Sequence, residues 1–225
     1  MKNVAETNEY LELMDDIGRH LFVPERFKCQ KLKELNSELS VLLKNYFYDS
    51  DNPDYPFNLR GCEVILYRDG AEIYSYKTVD TEGACWTFTH QNGHEYFLFT
   101  KGLYGYSVLD LTTMLDFHFY PDESFPTRET FIWCDAHYNP KNNILAVGGC
   151  YWACPSSVVL ADFSEPMKEA LQVDVNDFYN NNDHYDNIDF VAWECTDLIL
   201  KMSSQTEPGK RENRCISSEE YMKWL

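Results

Sequence analysis

Two stretches of the chain pass through the same order of elements, and this repetition limits the fold more than any other feature. The first is CWTFTHQNGHEYFLFTKGLYGYSVLDLTT, from Cys85, and the second is FIWCDAHYNPKNNILAVGGCYWACPSSVVLADFSEP, from Phe131. In each, an aromatic strand leads to a polar turn, at Gln91-Asn92-Gly93 and at Asn139 to Asn143. An apolar strand follows, then a glycine-containing loop, then a third strand ending in aspartate, Asp110 or Asp162. Gly102 and Gly149 lie 47 residues apart and the two aspartates 52, so the second stretch has five extra residues in that loop. Several short strands per unit, at a period in the forties, mark a repeat architecture whose units bury their apolar faces on one another. A weaker third copy begins at NIDFVAWECTDLILKMSS, from Asn187, and EVILYRDGAEIYSYKTV reads as a hairpin turning at Arg68-Asp69-Gly70.

The segment before the repeats has a different period. In PERFKCQKLKELNSELSVLLKNYFY, Leu32, Leu35, Leu39, Leu42 and Tyr46 recur at steps of three and four, which predicts one face of a helix. A shorter helix carrying Leu11, Met14, Ile17 and Leu21 is expected before it, and the polar run DSDNPDYPFN closes the region. The expected fold is therefore mainly β, with antiparallel sheets over residues 60–225 and an N-terminal helical hairpin over 1–48 packed on them as one folding unit. A capping box at Ser217 to Glu220 predicts a short terminal helix.

Over roughly residues 60–205 the pattern resembles WD40-like β-propeller blades. HYNPKNNILAVGG stands where such blades carry an aromatic, turn, apolar and glycine run, and SVVLADF where they carry the strand ending in aspartate. The blade-closing Trp-Asp dipeptide is replaced by Leu-Asp at 109–110 and Ala-Asp at 161–162. With blades of about 40–45 residues, the resemblance implies a short or incomplete ring, capped by the helices or completed by homodimerisation. It also implies that loops between second and third strands share a ligand-facing side, which would place Tyr104, Tyr151 and Trp152 there as partner-binding residues.

The long loop and the strand before it also hold the candidate chemistry. Cys134-x-x-His137 and Cys150-x-x-x-Cys154 have the paired spacing of a four-ligand zinc set. A regular strand would point Cys134 and His137 to opposite faces, and only a bulge or an early strand end reunites them. Asp135 and His137 do share a face, so the carboxylate can orient the imidazole, with Cys150 as a nucleophile. The structural alternative is a hydrogen-bonded Asp–His pair and buried thiols. KMSS at Lys201 to Ser204 is similar to the nucleotide-contacting loop of class I aminoacyl-tRNA synthetases but has no companion motif. The oxygen-rich run DVNDFYNNNDHYDNID lacks the glycine and closing glutamate of an EF-hand.

Charge narrows the partners. A formal net charge of −18 argues against a general basic face for nucleic acid and suits a basic protein partner. There is no apolar run of spanning length and no signal-like N-terminus, so the expected address is cytoplasmic and the eight cysteines are expected mostly as free thiols. The function expected is a non-enzymatic protein-interaction scaffold using its loops. The alternatives are a metal-binding or enzymatic site at Asp135, His137, Cys150 and Cys154, and an acidic immunity-type protein neutralising a basic partner. Binding of small ligands such as sugars by the aromatic loops is a further alternative.

Overall fold

Strands dominate from Phe27 onward. The computed structural model describes residues 2–49, 58–126, 128–179, 185–204 and 209–225. The polar run at 49–58, all but its two ends, and the middle of the oxygen-rich run at 174–189 lie outside the described residues.

The fold is mainly β, and its strands form four antiparallel sheets in chain order. The first joins β1 (Phe27–Glu34), β2 (Leu39–Tyr48), β3 (Leu59–Arg68) and β4 (Ala71–Val79). The second joins β5 (Cys85–Thr89), β6 (Glu95–Phe99), β7 (Tyr106–Asp110) and β8 (Leu115–Phe119). The third joins β9 (Ile132–Asn139), β10 (Ile144–Cys150), β11 (Ser156–Asp162) and β12 (Gln172–Asp174). The fourth joins β13 (Tyr185–Glu194), β14 (Asp197–Ser204) and β15 (Arg211–Ile216). Each is a meander of sequence-adjacent strands, and among the described residues no sheet closes into a ring. The two repeat aspartates both end third strands, and the copy from Asn187 is the β13–β14 hairpin. The Asp69-Gly70 turn has φ of 51° and 79°, the mirror-image turn that matches strand twist in two-residue hairpins.

The N-terminal helical hairpin is the main correction. Only its first half is helical: α1 (Asn8–Leu21), capped by the Thr7 hydroxyl accepting from the Tyr10 amide. Leu21 of the expected face is buried and Met14 and Ile17 are half-buried, while Leu11 is 52% exposed and Tyr10 is buried in its place at the start of the helix. Leu32 to Tyr46 form the β1–β2 hairpin instead. Asn36 turns it, its side-chain oxygen accepting from the Glu38 and Leu39 amides. In β2, Leu39, Val41 and Leu43 are buried at a period of two, which the spacing of three and four concealed. The β-branched and aromatic residues of β2 pair along their whole length with β3, and that ladder outweighs local helical preference. Strand β1 is exposed at every position and carries Lys28, Lys31 and Lys33, charges that discourage further pairing at a sheet edge.

The chain divides into two compact units, one of residues 1–87, 97–107 and 118–128, the other of 88–96, 108–117 and 129–225. In the first, α1 ends with Leu21 and Phe22 over Gly61 of β3, where a side chain would collide with both. In the second, the third and fourth sheets share a core: Ile144, Ala146, Val158 and Leu160 pack with Ile188, Leu198, Leu200 and Met202. Each large side chain buried there contributes roughly 1.5–3 kcal/mol. The terminal helix α3 (Ser218–Tyr221) closes this core with Tyr221. Ser217 stands at its N-cap without a side-chain bond, so the expected capping box is not made; Asp197 accepts from the Ser218 amide instead. Among the described residues, no helix is long and apolar enough to cross a membrane.

Candidate functional site

The site is built on an irregularity in β9. Asp135 pairs with Gly148 and Trp133 with Gly149, so Cys134 is one residue too many on its strand. Such a bulge re-aims side chains, and here Cys134 joins Asp135 and His137 along one cleft. Gly149 permits the arrangement: a Cβ there would strike the Ile132 carbonyl oxygen and stand 2.8 Å from the Phe131 ring.

The cleft has a volume of about 440 Å³. β9 supplies Cys134, Asp135 and His137, β10 supplies Cys150, β11 supplies Ser156, and β13 supplies Asp189 and Phe190. The Asp135 Oδ2 lies 3.0 Å from the His137 Nε2, and the imidazole stacks on Phe190 at 4.0 Å between centroids and 13° between planes. The Ser156 hydroxyl donates to Asp189 Oδ1 at 2.7 Å, and the Ser156 amide to Asn187 Oδ1 at 3.2 Å. Burial pushes the Cys134 thiol above its ordinary pKa, and the neighbouring Cys150 and Asp135 push the same way. A thiol raised in this way is a weaker nucleophile at neutral pH. Among the described residues, no group of three or more His, Cys, Asp or Glu side chains is arranged to hold a metal ion. All eight cysteines are free thiols.

Between Cys150 and Cys154, both on the cleft wall, the β10–β11 connection turns outward. The Cys154 amide donates to the Tyr151 carbonyl at 2.9 Å, and Ala153 takes a left-handed φ of 57°. A non-glycine residue there costs about 1–2 kcal/mol. Tyr151 leans edge-on against Phe131 and is 38% exposed, whereas Trp152 is 58% exposed. The loop thus displays one aromatic side chain freely and a second in part. Tyr104 belongs to the other unit, half-buried with its ring 6.4 Å from that of Tyr120.

Asn187, Asp189 and Phe190 are cleft residues that motif spacing did not single out. A signal was present in NIDF, where polar Asn187 and Asp189 flank the buried Ile188, but nothing local ties that strand to β9. No protein-family model matches the chain, and no curated protein matches it closely enough to suggest a relative.

Proposed function

We propose that the protein is a non-enzymatic interaction module, built on WD40-like blades, that holds a basic segment of a partner protein at this cleft and loop. The blade reading is supported by four successive meanders, the first of which supplies a unit that the repeat count lacked. The observation that carries the functional reading is Trp152, more than half exposed on a turn held by the cleft wall. A large exposed aromatic beside a groove is the usual anchor of a protein interface. Asp135 and Asp189, both exposed, give the groove a negative lining, and the chain's charge of −18 steers a cationic partner towards it.

Fluorescence titration against a library of Lys- and Arg-rich peptides tests the reading. The best binder is expected to lose tenfold or more in affinity with Trp152→Ala, about 1.4 kcal/mol or more. A double variant, Asp135→Asn with Asp189→Asn, should weaken it further at low salt and flatten its salt dependence. Equal binding by wild type and Trp152→Ala would sink the proposal. The Asp135–His137 pair favours one second reading, an acid–base or zinc-dependent site. Native mass spectrometry of protein purified without chelators separates the two: one zinc per chain, lost with Cys150→Ser, would favour the second.

A further inference from the structure

The first unit holds another cavity, of about 500 Å³, between α1, β4 and the segments 101–107 and 118–120. This is the size of a small-molecule site. Tyrosine dominates its wall: Tyr10 from α1, Tyr74 and Tyr76 from β4, and Tyr104, Tyr106 and Tyr120 beyond them. The rings of Tyr10 and Tyr120 lie 4.8 Å apart.

Its charge runs against that of the molecule. Acidic residues outnumber lysine and arginine 37 to 19 in the chain, yet this wall carries Arg19, Lys77 and Lys101 against Asp15 alone. Asp15 is already paired with Arg19 at 3.3 Å. The Lys77 ammonium stands 5.0 Å from the centre of the Phe22 ring and has no carboxylate partner among the described residues. Lys101 is half-buried, its Nζ 2.8 Å from His118 Nε2. Burial keeps the Tyr10 and Tyr120 phenols protonated, Tyr120 pushed up to about 12, so both remain neutral and do not add negative charge. At the wall, α1 carries Gly18, although glycine is a poor helix residue and a Cβ would meet only Phe22, at 3.9 Å.

We infer that this cavity binds a small anionic molecule with a planar ring, its ring against the tyrosines and its acidic group between Lys77 and Lys101. The rings supply flat apolar faces, and the ammoniums supply positive charge within the cavity wall. This site is independent of the Trp152 loop.

The test is titration with 8-anilinonaphthalene-1-sulfonate, a planar sulfonate, against the neutral N-phenyl-1-naphthylamine. One saturable site per chain is expected for the sulfonate, weakened at least tenfold by Lys77→Met with Lys101→Met and unchanged by Trp152→Ala. The neutral probe should be insensitive to the lysine changes. Gly18→Leu should block the sulfonate while the circular dichroism spectrum and thermal midpoint persist. Should that variant fold poorly, amide shifts in the wild type decide: the sulfonate should move Gly18, Lys77 and Tyr104. Unsaturable binding, shifts elsewhere, or full affinity in the lysine double variant would overturn the inference.

Discussion

The two cavities are close in volume, about 500 and 440 Å³, and opposite in chemistry. One is walled by tyrosines and lysines, the other by carboxylates, an imidazole and thiols. Both rest on antiparallel meanders, so the strand frame does not set the difference. In the first, a helix is laid beside β4 and its neighbours, and long side chains from all of them converge. In the second, Cys134, extra in the register of β9, lies beside Asp135 and His137, with Gly148 and Gly149 on the same wall. Charge and shape thus belong to the side chains leaving the frame and to where the frame is broken.

The largest effect expected from breaking this contrast is at Gly149. Gly149→Ala should cost about 3 kcal/mol or more in urea unfolding, because backbone stands where the methyl would go. Gly148→Ala, whose Cβ would meet only Asp135 at 3.8 Å, should stay within about 1 kcal/mol. If both are tolerated equally, the bulge does not depend on close approach of the strands.

A second contrast lies in pH. In the second unit, burial would raise the pKa of Asp110, but hydrogen bonds from His94, Thr112 and Thr113 outweigh it and hold the carboxyl below its ordinary value. The His94 Nδ1 lies 2.7 Å from Asp110 Oδ2. A depressed carboxyl stabilises the fold above about pH 4 and loses that contribution as pH falls below it. Asp110→Asn should therefore cost about 1.5–3 kcal/mol at neutral pH and make acid unfolding shallower. In the first unit the sign reverses. Burial raises the thiols of Cys85 and Cys62 to about 11 and about 12, so the folded chain keeps protons that the unfolded chain releases. Their contribution is complete below about pH 8.5 and is lost as pH rises towards 12. Denaturation series at acid and alkaline pH, with Asp110→Asn and Cys85→Ala, would separate the two limbs.

The smallest effect is at Gly18. Gly18→Ala should stabilise the protein by roughly 0.5–1 kcal/mol, through helix propensity alone. A loss of stability would show that the first cavity's wall is packed more tightly than the 3.9 Å clearance implies.

The sequence by itself determined the hairpins and the repeat. Asp69-Gly70 and Gly93 carry positive φ where the turns were expected, and Asp110 and Asp162 end the strands that their repeat position assigned. Those features are local, because turn residues and period-two alternation act over a few neighbours. Residues 27–48 show where local reading fails: Leu39, Val41 and Leu43 fit a strand, Leu32, Leu35 and Leu39 fit a helix, and pairing with β3 decided between them. The candidate site divides the same way. Asp135, His137 and the exposed Trp152 were legible from spacing and composition. A bulge was one of two ways the sequence left open to reunite Cys134 with them; that it occurs, and the approach of Asp189 and Phe190 from β13, were not legible. Both depend on contacts between segments far apart in the chain. Only the packed sheets fix those contacts, since each strand's outward residues acquire their neighbours from whichever strand is laid beside it.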